Sequence, residues 1–129
     1  MNDALIEEML RNSRVIAVIG MSDKDTRASY HIGKYLAQHG YKVVPVNPAI
    51  QTVLGLTCYP DLESAQRAIR AEGAEIDLVD VFRAPDHVPP IVDDVIRLGI
   101  KYLWLQDGVV HPEAFARAEA AGVKCIQND

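Results

Sequence analysis

The stretch VIAVIGMSDKD, residues 15–25, contains five consecutive apolar residues, then a glycine, then a charged loop. A short apolar run without alternation is typical of a strand buried on both faces, as strands are in a parallel sheet. Gly20 stands where the chain must turn sharply after this strand. We therefore predict a buried strand over residues 14–19 that delivers a polar loop to one edge of a sheet.

Short apolar runs alternate with longer amphipathic runs along the rest of the 129 residues. Further strands are predicted at residues 42–46, 76–82, 101–105 and 123–126, with a short edge strand at 55–59. Helices are predicted at residues 3–11, 29–39, 62–71, 88–98 and 112–122. Their N-caps are expected to be Asn2 or Asp3 for the first helix, Asp61 for the third and His111 for the fifth.

This order of elements predicts an α/β fold, a three-layer, Rossmann-like open parallel sheet of about five main strands with helices on both faces. We find no linker or repeat, so residues 1–129 form one domain, with residues 1–12 as an N-terminal helix. Ligands of such sheets bind beyond the carboxyl ends of the strands, where the strand order reverses. The loops at 20–28, 46–50, 82–88 and 106–111 are therefore the candidate site.

Composition narrows the classes of partner. The chain is 49% hydrophobic and 24% charged, and its formal net charge of −5 argues against nucleic acid binding. It has no apolar run long enough to cross a membrane, and its acidic amphipathic start is unlike a signal peptide. We expect a cytoplasmic protein without a membrane partner. Cys58 and Cys125 are too few for a zinc site or a disulfide framework and are expected to be structural, so no metal is predicted.

The first loop has the chemistry of a phosphate site. Gly20 lets the backbone approach a ligand, Ser22 and Ser29 carry hydroxyls, and free amides at the start of the following helix favour an anion. Lys24 and Arg27 can meet phosphate charge, Arg27 with two parallel hydrogen bonds. This interpretation is favoured over a solvated loop in which Ser29 is only an N-cap.

The second and third loops offer apolar edges. Pro45 and Pro48 bracket Val46 and Asn47 in a stiff apolar edge that can flank an adenine ring, although taken alone this segment is better explained as the stop of a strand. In the third loop, the apolar pair Val81 and Phe82 stands beside Arg83, with Pro85 as a rigid neighbour. That loop either forms the wall of a site for an extended ligand or is a helix entry whose Arg83 faces water, and the residues leave both open.

The fourth loop places Gln106 and Gly108 at the rim, with Gly108 in a left-handed turn. His111 is expected to cap a helix rather than to catalyse, because no nucleophile or carboxylate partner can be assigned to it. We find no other catalytic set, no Walker loop and no acidic pair after the first strand of the kind a receiver domain needs. A nicotinamide fingerprint is also absent. Ser22 and Asp25 occupy the positions where its second and third glycines would stand, and no acidic residue follows the second strand.

The loops taken together resemble a known family. The motifs are IAVIGMSDKDTRASYHIGKYLAQHGYKVVPVNP (16–48), GLTCYPDL (55–62), DLVDVFRAPDHVPPIVDDVI (77–96) and YLWLQDGVVHPEA (102–114). The chain from Val15 to Ile126 resembles the small stand-alone CoA-binding proteins of the YccU-like type. These are similar to the CoA-binding domain of the succinyl-CoA synthetase alpha subunit.

The resemblance implies that coenzyme A, or an acyl-CoA, lies across the strand ends. It places Gly20, Met21 and Ser22 on the phosphates, with Lys24, Arg27 and Ser29 near the nucleotide end. It places Asn47 and Pro48 beside the adenosine, Val81, Phe82, Arg83 and Pro85 along the pantetheine, and Gln106 and Gly108 at the thiol end.

Three departures from the family pattern affect what is implied. Asp23 follows Ser22 where the synthetase loop has a second glycine soon after its Thr, which adds negative charge and bulk beside a pyrophosphate. The phosphohistidine domain of the synthetase has no counterpart in the 129 residues, so acyl-CoA ligase activity is not implied. The sequence also stops at KCIQND, without the Cys-containing tail with which related small proteins often continue.

Three hypotheses for function follow. The favoured one is a non-enzymatic protein that binds coenzyme A or an acyl-CoA. The second is an enzyme that uses a nicotinamide cofactor or a CoA thioester. The third is a partner-binding subunit with a vestigial site, docking through Leu5, Ile6, Met9 and Leu10 of the first helix. We expect this helix to cover its own sheet instead, in a monomer or weak homodimer.

Overall fold

The computed structural model describes residues 3–127. The elements in chain order are α1 (Asp3–Asn12), β1 (Val15–Ile19), α2 (Ala28–Gln38), β2 (Lys42–Val46), β3 (Thr52–Val53), β4 (Leu56–Thr57), α3 (Leu62–Ala71), β5 (Leu78–Val81), α4 (Val88–Arg97), β6 (Tyr102–Leu105), α5 (Pro112–Ala120) and β7 (Lys124–Gln127). A single 3-10 turn, Pro85–His87, precedes α4.

Five strands form the main sheet in the order β2-β1-β5-β6-β7. All four pairings are parallel. β1 lies between β2 and β5, with Ile16 paired to Val43 of β2 and to Leu78 of β5. The chain first extends the sheet to one side of β1 and then to the other. The predicted α/β parallel sheet is confirmed, and its switch point lies between β1 and β5.

Helices cover both faces of the sheet. On one face, α3, α4 and α5 bury residues such as Ile69, Val92 and Ala118 against Val79 and Leu103 of the sheet. On the opposite face, α1 and α2 pack on alternate residues of the same strands. This alternation follows from the two-residue period of a strand, which sends neighbouring side chains to opposite faces.

The N-terminal helix covers its own sheet, as expected. Met9 is fully buried, and Leu5 and Ile6 pack against the α1–α2 face. Glu8 accepts a 3.0 Å hydrogen bond from the Tyr102 hydroxyl and forms a 2.8 Å ion pair with Lys124. These contacts fix α1 across β6 and β7. No helix among residues 3–127 combines the length and apolar character needed to cross a bilayer.

The edge strand predicted at 55–59 is wrong. Residues 52–57 form a separate two-stranded antiparallel hairpin, β3–β4, and only Tyr59 makes a bridge to Val46 at the edge of the main sheet. The reason is the turn at Leu54 and Gly55, which both have positive φ angles (54° and 75°). Such a two-residue turn matches the twist of a hairpin, so residues 56–57 pair with residues 52–53 and not with β2.

Two predicted N-caps are confirmed. Asp61 Oδ1 accepts a 2.7 Å hydrogen bond from the Ser64 amide, and His111 Nδ1 accepts one of 3.2 Å from the Ala114 amide. Asp3 lies inside the first turn of α1, whereas Asn2, the alternative cap, lies outside the described residues.

Candidate functional site

The carboxyl ends of the strands enclose a crevice of about 310 Å³ at the switch point. It is lined by residues 20, 27–29, 82–85 and 107–109. We call this cavity the strand-end crevice. Three of the four loops predicted from the sequence, those after β1, β5 and β6, meet there because the carboxyl ends of parallel strands lie at one edge of the sheet.

Gly20 brings the loops after β1 and β5 together. Its φ angle is +83°, and its amide donates a 2.8 Å hydrogen bond to the Val46 carbonyl. A Cβ atom at this position would lie 2.3 Å from the Phe82 carbonyl oxygen. The glycine is therefore required by the close approach of the protein's own backbone, as well as by the left-handed turn.

The start of α2 carries free amide groups beside the crevice. The N-cap is Arg27, which has an extended backbone and no side-chain capping bond, so the alternative in which Ser29 is the cap is wrong. Ser29 is buried, and its Oγ accepts a 2.9 Å hydrogen bond from the Ser22 amide. In the described part of the chain, no protein group accepts a hydrogen bond from the amides of Ala28, Ser29 or Tyr30. Such amides are the groups that bind anions at helix N-termini.

Two arginines add positive charge to the crevice. Arg27 and Arg83 both line it, and Asp107 is an acidic residue on the same lining that the sequence did not single out. Lys24 is exposed and lies outside the lining. Arg83 Nη2 is 3.1 Å from His87 Nε2, so Arg83 rests on the following turn instead of extending freely into water.

Arg83 also connects the crevice to a smaller pocket of about 160 Å³ beside Pro48. This smaller pocket lies at the end of β2, where an adenine-flanking edge was predicted. Asn47 does not line it, because its side chain is engaged elsewhere. Asn47 Nδ2 donates to the Met21 carbonyl at 3.1 Å, and its Oδ1 accepts from the Ala49 amide at 2.9 Å. Asn47 therefore holds the first two loops together.

Two residues that the resemblance placed on the ligand have side chains in the core instead. Met21 is fully buried, and its side chain packs on Gly33 of α2. Val81 is fully buried on the opposite face, among the residues covered by α3–α5. Their carbonyl groups are also occupied, by Asn47 and by the Gln106 amide respectively.

A model of one family, described as a CoA binding domain, matches residues 14–129. The chain belongs to the CoA-binding domain family. This match confirms the resemblance seen in the sequence, and it spans all seven strands and four of the five helices.

Similar proteins agree with the family. The uncharacterized protein YneT of Bacillus subtilis (strain 168) is 32% identical over 125 residues, which are 97% of this chain and 87% of that protein. A solved structure of a hypothetical protein from Pyrococcus horikoshii OT3 matches with a TM-score of 0.87 and 34% identity, covering 99% of this chain and 85% of that one. An ADP-forming acetate–CoA ligase of Archaeoglobus fulgidus is 27% identical over 92% of this chain, which corresponds to 18% of the ligase.

The CoA-binding domain has a second and larger cavity, of about 500 Å³, on the α1–α2 face of the sheet. We call it the α1–α2 cleft. Leu10 of α1 and Ile32, Tyr35 and Leu36 of α2 form its apolar walls. Asp80, Trp104 and Gln106 form a polar end of the cleft, and His39 and Tyr41 also line it. Gln106, expected at the thiol end of the crevice, therefore points its side chain into the neighbouring cleft.

Asp80 is the most unusual titratable group of this CoA-binding domain. It is only 3% exposed, and burial raises the pKa of its carboxyl to about 7, opposed by a 2.7 Å hydrogen bond from Gln106 Nε2. Asp80 is not among the residues predicted from the sequence. The sequence did carry a signal for this residue, because Asp80 is a carboxylate inside the apolar strand LVDV. Burying a charge in a strand is costly, so such a residue often belongs to a functional site.

The two thiols are structural, as expected. Cys58 and Cys125 are both buried and free. Burial raises the pKa of the Cys58 thiol above its ordinary value and that of Cys125 to about 12. Both sulfurs are therefore protonated near neutral pH, which makes them poor nucleophiles and poor metal ligands.

Proposed function

We propose that this chain binds coenzyme A, or an acyl-CoA, in the strand-end crevice, and that it holds this ligand without transforming it. The main structural support for this proposal is the N-terminus of α2, which has no side-chain cap and lies between Arg27 and Arg83 at the switch point of the sheet. Free amides and guanidinium groups at one place are suited to a pyrophosphate, because they supply short charge-assisted hydrogen bonds. Membership of the CoA-binding domain family supports the identity of the ligand.

The shape of the site divides the ligand into three parts. The amides of Ala28–Tyr30 and the Arg27 guanidinium would hold the phosphates. The pocket beside Pro48, which Arg83 joins to the crevice, would take the adenosine end. Phe82 and Pro85 would flank the pantetheine arm, and Gly108 would border its far end.

The side chains around the crevice favour binding over catalysis. His111 uses Nδ1 to cap α5, and the two thiols are protonated and buried. Asp80, the carboxyl with the raised pKa, lies in the α1–α2 cleft and not on the crevice lining. A general base must reach the reacting proton within hydrogen-bond distance, and the crevice residues 20, 27–29, 82–85 and 107–109 include only Asp107 as a candidate.

Calorimetric titration of the full chain with coenzyme A tests the proposal, with 3′-dephospho-CoA and NAD as comparators. We expect saturable binding of coenzyme A and weaker binding of 3′-dephospho-CoA, which has lost one phosphate. An absence of heat up to millimolar coenzyme A would overturn the proposal. Binding of NAD alone would replace it with a nicotinamide-dependent function.

A further inference from the structure

The α1–α2 cleft is not used by the proposed nucleotide site, although it is larger than the strand-end crevice. Its volume of about 500 Å³ lies within the range of small-molecule pockets. Apolar side chains from α1, α2 and the sheet form most of the lining, including Leu10, Ile16, Ile32 and Leu36. Asp80 and Gln106 form one polar end of the cleft, and His39 and Tyr41 contribute further polar groups to its lining.

That polar end adjoins the strand-end crevice. Side chains alternate along a strand, so Leu78, Asp80 and Phe82 lie on the same face, successive members roughly 7 Å apart. Asp80 lines the cleft, whereas Phe82, the next residue on that face, lines the crevice. Likewise Gln106 lines the cleft, and Asp107, the next residue in the chain, lines the crevice. The cleft therefore begins where the thiol end of a bound pantetheine arm would stop.

We propose that the α1–α2 cleft binds the apolar acyl group of an acyl-CoA whose nucleotide occupies the strand-end crevice. This inference rests on the proposed function and extends it, because it names the ligand as an acyl thioester with an aliphatic chain. The chain enters past Phe82 and the Asp80–Gln106 pair and lies between α2 and the sheet. Burial of methylene groups against Ile32, Leu36 and Leu10 supplies the affinity.

The surroundings of the cleft favour a small ligand over a second protein chain. Among the described residues, the large hydrophobic side chains exposed to solvent are Tyr35 and Leu54, and Leu54 belongs to the β3–β4 hairpin. Tyr35 stacks on His39 at a ring separation of 3.9 Å beside the cleft. One exposed aromatic ring is a small apolar surface for a protein interface, whereas a concave apolar cleft with a polar end suits an acyl chain.

Calorimetry with coenzyme A, butyryl-CoA and octanoyl-CoA tests this inference on the full chain. We expect affinity to rise roughly threefold to fourfold for each methylene that the cleft buries. Ile32→Trp places bulk in the cleft and should abolish the gain from the acyl chain while leaving the affinity for coenzyme A unchanged. Lys34→Trp, on an exposed position of the same helix, is the matched control and should keep the gain.

A second measurement needs no substitution. Trp104 is the single tryptophan of the chain and lines the cleft, so octanoyl-CoA should shift its fluorescence emission and coenzyme A should not. Equal affinities for coenzyme A and octanoyl-CoA, with no shift of emission, would overturn the inference and leave the proposed function intact. A concentration-dependent dimer that shifts the emission without ligand and is not dissociated by octanoyl-CoA would also overturn it. Failure of both ligands to bind would overturn both proposals.

Discussion

Gln106 donates a 2.7 Å hydrogen bond from Nε2 to Oδ1 of Asp80, and both residues line the α1–α2 cleft. Burial makes the charged form of Asp80 costly, while the Gln106 amide stabilises it. Because burial is the larger effect, the carboxyl changes its charge close to neutral pH. The polar end of the cleft thus contains one titratable carboxyl, Asp80, held by the amide of Gln106.

Replacing Asp80 by Asn should stabilise the protein at alkaline pH. The pKa of Asp80 rises from an ordinary value of 3.8 to about 7 in the folded protein, so between these values the native state binds more protons than the unfolded state. The contribution of Asp80 to the free energy of unfolding therefore falls as the pH rises through that window and stays low above it. The gain from Asp80→Asn should reach at most about 4 kcal/mol at pH 8 and vanish below about pH 4.

Urea unfolding of the wild type and the variant at pH 4 and pH 8 measures this gain. Asp86→Asn, at an exposed position before α4, is the control and should show no comparable dependence on pH. An Asp80→Asn variant that is equally stabilised at both pH values would contradict the charge-based explanation.

Gly20→Ala should destabilise the protein more than Gly40→Ala. Both glycines have positive φ angles, +83° and +91°, so each alanine meets a backbone cost of about 1–2 kcal/mol. At Gly20 the new Cβ also meets the Phe82 carbonyl oxygen at 2.3 Å, whereas at Gly40 no atom lies within 4 Å. We expect an additional loss of roughly 1–3 kcal/mol at Gly20, measured by urea unfolding. Equal losses at the two positions would show that the approach of Phe82 imposes no constraint.

Met21 and Gly33 should show strong energetic coupling. A Cβ at Gly33 would lie 2.2 Å from Met21 Cε, so Gly33→Ala in the wild type crowds a filled space. Met21→Ala should cost about 2–5 kcal/mol, because it empties a fully buried site. In that background, Gly33→Ala should become stabilising by roughly 0.5–1 kcal/mol, since alanine favours a helix interior.

The double-mutant cycle on Met21 and Gly33 is measured by chemical unfolding of the four proteins. If the two substitutions had additive effects on the free energy of unfolding, the side chain of Met21 would not pack on Gly33. Met21→Ala should also leave the affinity for coenzyme A within about a factor of three, because the side chain lies in the core, provided that the variant remains folded under the assay conditions.

Arg27→Ala should weaken the binding of coenzyme A by roughly 1.5–3 kcal/mol, the cost of a lost charge-assisted hydrogen bond. Lys24→Ala, in the same loop but outside the crevice lining, should cost less than about 1 kcal/mol. Calorimetric titration of both variants at one salt concentration makes the comparison. If Lys24→Ala proved more damaging than Arg27→Ala, the phosphates would lie along the loop and not at the start of α2.

Predictions from sequence succeeded where a local signal was enough. Apolar runs such as residues 15–19 marked all five main strands, and Asp61 and His111 identified two helix starts through their own side chains. The 55–59 strand was the failure, because a run of strand-forming residues does not specify its partner. The positive φ angles of Leu54 and Gly55 reversed the chain within two residues.

The order of strands and helices along the chain was sufficient to predict a parallel sheet and the four loops at the carboxyl ends of its strands, three of which meet at the strand-end crevice, because the strands share one direction. The strand order, and with it the switch point between β1 and β5, came from the folded structure. The folded structure alone decided which side chains share a cavity. Met21 and Val81 went to the core, and Gln106 joined Asp80 in a second cleft. The physical reason is that a side chain's neighbours depend on strand register and on which helix covers each face, and these are set by packing between residues far apart in the chain.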